Sequence, residues 1–271
     1  MFRNLVLAGL VATGTFLLWP APPGGRLVKI YGELKTADRV AVIVPGADTT
    51  VETFDDGPER PGGAARALLA EAARLAPHER LAVVAWLGYD APPTLSLGAI
   101  ADDAAGEGAG ELRRTVVRLR GRTDAPVTLL CHSYGSAVCA KAMPGLPVSD
   151  LAVFGSPGVD APSAAALTAP PRTGSVLASH GGPAQARVGA SLGVPARPRV
   201  WAGLGANDWI RFVPKTKLGP LGFGTDPMSA AFGARVFEAG PGGHSDYFAP
   251  GSTSLRNLTL IVLGRSGQVT G

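Results

Sequence analysis

Cysteine is scarce in this chain of 271 residues, which holds two, Cys131 and Cys139. Neither belongs to a Cys-x-x-Cys pair or a Cys/His cluster, so a structural zinc site is not indicated. Two buried thiols are the expectation, because a disulfide needs a geometry that their spacing does not establish. Histidine is almost as sparse, with four, which leaves few candidates for proton transfer near neutral pH. No repeat period runs through the 37 glycines and 24 prolines; a fibre or solenoid is excluded, and they fall between periodic segments as loop punctuation. Large basic clusters are missing too. The formal charge is +4, but the cations are dispersed, with short groups at Arg113-Arg114 and Arg118 to Arg122 that suit a solvated helix face, so no nucleic-acid role is assigned.

What the chain has is apolar content, 46% of its residues, ample for one large domain with a buried core. Its N-terminus carries Arg3 and then the uncharged apolar segment from Leu5 to Trp19, ended by Pro20 and Pro22-Pro23-Gly24-Gly25. That order is expected of an export signal. The segment is short against the roughly 20 residues of a full span, yet with Met1-Phe2 it can also serve as a signal anchor. A clear Ala-x-Ala cleavage site is lacking. The expected organisation is a signal peptide or anchor over residues 1–25, giving an exported protein that is secreted or membrane-associated, and one domain over 26–271.

Strand-like runs follow at Leu27-Val28-Lys29-Ile30-Tyr31, Val40-Ala41-Val42-Ile43-Val44, Leu81 to Trp86, Pro126 to Leu130, Leu151 to Phe154, Arg199 to Ala202 and Ala234 to Phe237. Between them, Ala64 to Ala76 and Glu111 to Leu119 have helical spacing, and Leu255 to Leu263 can close the chain with a helix. Alternating strands and helices predict an α/β fold, a mostly parallel central sheet with helices on both faces. Ligand-facing groups then gather at the carboxyl ends of the strands.

The most informative stretch is Cys131-His132-Ser133-Tyr134-Gly135, where an apolar strand run meets the small-residue helix run Ser136 to Ala142. A strand, sharp turn and helix of this kind lift a serine hydroxyl above the sheet and aim a helix N-terminus at it. Cys131 occupies the position where Gly-x-Ser-x-Gly has its first glycine. A serine needs a base. His78 precedes a strand and so belongs to the opposite end of a parallel sheet; His132 neighbours Ser133 and points away from it, suiting packing or support. His180 opens a Gly/Pro-rich stretch. His244 follows the strand at Ala234 to Phe237 through Gly240-Pro241-Gly242-Gly243 and has the favoured position. Asp208, shortly after the Arg199 strand, is the expected acid, with Asp160, Asp226 and Asp246 as alternatives; the order Ser, Asp, His fits an elbow serine. Oxyanion donors are expected at the amides of Tyr134 and, from Val44-Pro45-Gly46-Ala47-Asp48, of Ala47.

These segments together resemble the α/β-hydrolase superfamily, and more narrowly a bacterial branch of exported serine hydrolases of unknown substrate. The resemblance runs from about Gly32 to Leu263. It is carried by Val44 to Asp48, Trp86-Leu87-Gly88-Tyr89-Asp90, Cys131 to Ser136, Gly155-Ser156-Pro157-Gly158, Asp208-Trp209-Ile210 and Gly243-His244-Ser245-Asp246-Tyr247-Phe248. It implies Ser133 as nucleophile with Asp208 and His244 as acid and base. The sequence departs from the pattern at Cys131, expected to push the elbow helix slightly outward, and over residues 161–196, longer than usual and a candidate lid. The expected activity is hydrolysis of a small-molecule or lipid-like carboxylic ester, or less readily an amide, through an acyl-enzyme, without cofactor or metal. An acyltransferase using the same intermediate and a non-catalytic surface binding module are the alternatives. Trp209, Phe212, Leu221 and Phe223 are candidate pocket walls, although burial preferences favour ordinary core positions for them.

Overall fold

The fold is described from a computed structural model over residues 25–94, 103–170, 197–218 and 221–271. The leader up to residue 24, His180 and most of the candidate lid, residues 171–196, lie outside the described residues. Among the described residues no helix is long and apolar enough to cross a membrane.

Continuous β-branched and aliphatic runs become the central strands, because a strand covered on both faces has no side facing water. β2 (Arg39–Val44), β3 (Leu81–Leu87), β4 (Val127–His132), β5 (Asp150–Phe154) and β6 (Arg199–Gly203) are buried almost throughout. With β1 (Leu27–Tyr31) and the short β9 (Arg235–Phe237) they form one seven-stranded sheet in the order β1-β3-β2-β4-β5-β6-β9. β1 pairs antiparallel with β3, and every other pairing is parallel. A two-residue ribbon, β7 (Lys217–Leu218) with β8 (Leu221–Gly222), stands apart from this sheet.

α1 (Pro61–Leu75) opens with proline at its first position, where a missing N–H costs nothing. It packs with α5 (Thr253–Val262), capped by the Ser252 side chain, on one face of the sheet. α2 (Asp103–Arg120) and α3 (Gly135–Ala142) cover the other; a single turn, α4 (Ala164–Leu167), follows β5. Two apolar cores result, one per face. The chain leaves β2 for β3 on one side and returns to β4 on the other, so the sheet order reverses between β2 and β4. A crevice opens beyond the carboxyl ends of strands at such a switch point. The loop after β2 and the elbow after β4 flank it.

The cysteines correct two expectations. Cys131 at the end of β4 and Cys139 in α3 are joined by a disulfide, both wholly buried, instead of standing as two thiols. Cys131 therefore ties the elbow helix to the strand rather than pushing it outward. An eight-residue separation across a strand-turn-helix folds the two side chains toward each other inside the α2–α3 core, with Cα atoms 6.5 Å apart.

Candidate active site

Ser133 sits at the turn between β4 and α3 with φ of +53°, a conformation that L-residues rarely hold outside such tight turns. Its amide donates to Phe154 O at 3.0 Å and its carbonyl receives the Ser136 amide at 2.9 Å, which fixes the turn from both sides. The neighbouring loops approach so closely that two glycines are required. A Cβ on Gly135 would lie 2.5 Å from Pro45 O, and one on Gly46 would lie 2.6 Å from Ser133 Cβ.

Two loops far apart in sequence deliver the partners of Ser133. Residues 205–208 follow β6 and residues 240–246 follow β9. They are laced by Ala206 N to Gly240 O (2.9 Å), Asn207 N to Gly242 O (3.3 Å) and the Asn207 side chain to Pro241 O (2.7 Å). The result is a continuous hydrogen-bond chain. Ser133 Oγ lies 2.9 Å from His244 Nε2, and His244 Nδ1 lies 2.9 and 3.1 Å from the two oxygens of Asp208. A carboxylate only accepts, so Nδ1 carries the proton and Nε2 is left to accept from the serine.

Asp208 is fully buried. Burial by itself would raise its pKa, but hydrogen bonds from His244, the Tyr247 hydroxyl (2.5 Å) and the Ile210 amide (2.9 Å) outweigh it and hold the carboxyl below its ordinary value. Tyr247 is pushed up by burial and then by its hydrogen bond to Asp208, so it stays a neutral donor. Asp160, Asp226 and Asp246 are occupied elsewhere: by Lys217, by the Met228 amide and by the Gly243 amide, respectively.

The His244 ring lies against both His132 and Trp209, each with its ring centroid 4.8 Å away. His132 Nε2 lies 2.8 Å from the His244 carbonyl oxygen. Since that oxygen can only accept, Nε2 is the protonated nitrogen and His132 is a donor that pins the backbone of His244. Burial, then the neighbouring His244, lowers its pKa to about 3. His78 is exposed and precedes β3 at the far end of the sheet.

Ala47, Ser133, His132 and His244 line a cleft of about 110 Å³ together with Asp48, Thr49, Glu59, Arg60, Thr94 and Ser245. Arg60 donates to Asp48 O at 2.7 Å, bracing the loop from outside. Among the described residues no acceptor takes the Ala47 amide proton, and no group of three or more His, Cys, Asp or Glu could hold a metal ion. Of the candidate pocket walls, Phe223 is buried in the core, whereas Trp209 and Phe212 are 45% and 82% exposed, so core burial was the wrong expectation for those two. Trp209 borders the open side of the cleft beside Pro93 and His244. The Leu221 side chain lies outside the described residues. Sequence reasoning missed Tyr247 and Tyr89 as supports, although both stood inside the motifs Gly243 to Phe248 and Trp86 to Asp90.

Comparison with known proteins places the chain in a family. A family model described as alpha/beta hydrolase matches residues 22–179. Uncharacterized proteins of Mycobacterium bovis and Mycobacterium tuberculosis are 36% identical over 147 residues, 52% of this chain and 55% of theirs. A second Mycobacterium tuberculosis protein is 30% identical over 267 residues, 89% of this chain and 37% of its own length. The chain thus spans about half or less of the length of these curated relatives. Among solved structures, an alpha/beta serine hydrolase without lid from Xanthomonas campestris has 14% identity and a TM-score of 0.45, covering 93% of this chain and 94% of its own. The esterase domain of a Rhodothermus marinus protein has 12% identity and a TM-score of 0.45, covering 95% and 99%. The family match includes the β2 loop and the elbow and ends before Asp208 and His244, which are joined to it by the hydrogen-bond geometry alone. With more than half of its 271 residues matched and a seven-stranded, mostly parallel sheet flanked by helices, the chain belongs to the alpha/beta-hydrolase family.

Proposed function

We propose that the protein hydrolyses a carboxylic ester, and less readily an amide, through an acyl-enzyme on Ser133. The unbroken chain Ser133–His244–Asp208 carries this reading. Ser133 Oγ attacks the carbonyl carbon while its proton passes to His244 Nε2, and the imidazolium is stabilised by the Asp208 carboxylate. The carbonyl oxygen becomes an oxyanion facing the Ala47 and Tyr134 amides. His244 then protonates the leaving oxygen, the C–O bond breaks, and a water deprotonated by His244 releases the acid.

Polar groups in the cleft, Thr49, Arg60 and Thr94 among them, favour a short or polar acyl group over a long alkyl chain. In a panel of esters of increasing acyl length, turnover is expected to be highest for the short members; a preference for long chains overturns that assignment. A fluorophosphonate probe is expected to label the protein at Ser133 and to spare Ser133→Ala. Well-folded wild type that takes no label would sink the hydrolase reading.

Export is part of the proposal. The apolar leader supports it, and so does the Cys131–Cys139 disulfide, since such bonds persist mainly in oxidising compartments. Fractionation of cells producing the full chain tests it, with the cytosol as the contrary outcome.

A further inference from the structure

We infer that Tyr89 is the positioning residue of the oxyanion site, setting the Ala47 amide against Ser133 from beneath. This rests on the acyl-enzyme reading above.

Tyr89 follows β3 and is 1% exposed, a phenol buried under the β2 loop. Its hydroxyl donates to Pro45 O at 2.8 Å and lies 3.4 Å from Gly46 O. Two successive carbonyls of the loop thus face the same buried hydroxyl. In a trans peptide the N–H points opposite to the C=O of the same plane. With Pro45 O bonded to the hydroxyl and Gly46 O facing it, the Ala47 N–H is turned away from Tyr89, toward the cleft that Ala47 and Ser133 share. Among the described residues that amide has no acceptor.

The same ring reaches the other donor. Tyr89 stacks on the Tyr134 side chain with centroids 6.0 Å apart, and on Trp86 at 5.9 Å, whose indole N–H is fixed by Thr115 Oγ1 at 3.1 Å. One rigid side chain thereby touches the loop that carries Ala47 and the residue that carries the elbow amide. Burial, and after it Tyr134, raises the Tyr89 pKa well above that of free tyrosine, so it remains a neutral donor. Donor placement matters steeply in such sites: loss of one oxyanion donor costs about a hundred- to thousand-fold in turnover, and a displacement near 1 Å can cost about a hundredfold.

Tyr89→Phe keeps the stack and removes the bond to the loop. Wild-type labelling and turnover are measured first; if both are absent, the hydrolase reading fails and this inference falls with it. With an active wild type, Tyr89→Phe is expected to lower kcat roughly ten- to hundredfold with KM little changed. Affinity for a boronic acid mimic of the tetrahedral state should weaken in parallel, with the shape of the pH profile preserved. A kcat within twofold of wild type, or a change in KM alone, overturns the inference. Tyr89→4-aminophenylalanine, which retains an N–H donor, should recover turnover, whereas Tyr89→4-methylphenylalanine should not. Equal turnover in those two variants also overturns it, and that comparison decides the matter if Tyr89→Phe does not fold.

Discussion

At the scale of single residues, Asp208, His244 and the loop of Ala47 are each braced by a residue outside the hydrogen-bond chain of Ser133, His244 and Asp208: Tyr247, His132 and Tyr89. Asp208 receives hydrogen bonds from three donors, and the Tyr247 hydroxyl that supplies one of them also accepts from the Gly205 amide at 3.1 Å. In Tyr247→Phe the buried carboxylate loses one of the donors that hold its pKa down. Unfolding free energy in urea is expected to fall by about 1.5–3 kcal/mol, the worth of a hydrogen bond to a charged group. Unchanged stability would show that another donor takes the place of the lost hydroxyl.

Among the secondary-structure elements, the β4–α3 elbow depends on the Cys131–Cys139 bond in a way that the motif does not announce. The bond closes a short loop containing the nucleophile, and the chain-entropy estimate for eight residues gives about 2.5 kcal/mol. Cys131→Ala with Cys139→Ala is expected to lower unfolding free energy by about 2–3 kcal/mol in urea at pH 7. Unchanged stability would mean that apolar packing of the two side chains in the α2–α3 core does all the work. Strands and helices were themselves legible. Every strand-like run singled out in the sequence became a strand: the continuous runs of β2 to β6 are covered on both faces, whereas β1 alternates and β9 is mostly exposed at the end of the sheet. The boundaries shifted at α1 and α2, which begin earlier than their apolar periodicity, at Pro61 and Asp103. Glycine-rich first turns carry little periodic signal.

For the molecule as a whole, the lowered pKa of the half-buried His132 links stability to pH. Its folded pKa of about 3 lies below the 6.5 of the free side chain, so between these values the unfolded chain binds a proton that the folded chain excludes. Stability from this source is complete above pH 6.5 and declines as pH falls toward 3. Between pH 7 and pH 5 the wild type should lose about 1–2 kcal/mol more than His132→Gln, the lower figure allowing for the ring's partial exposure. Urea titrations of both proteins at the two pH values measure it. Parallel losses would show that the ring takes up its proton in the folded state.

The sequence by itself determined the alternation of strands and helices, the elbow at Ser133, and the placing of Asp208 and His244 after strands. All of these follow from periodicity and chain order, which are local properties. Only the tertiary structure decided what depends on distance between segments far apart in sequence. It joined Cys131 to Cys139 and left Trp209 exposed against His244. It also set Tyr247 on Asp208, His132 on the His244 carbonyl, and Tyr89 beneath the loop of Ala47. Hydrogen bonds and ring contacts act over a few ångströms, and a linear pattern carries no record of which loops will come that close.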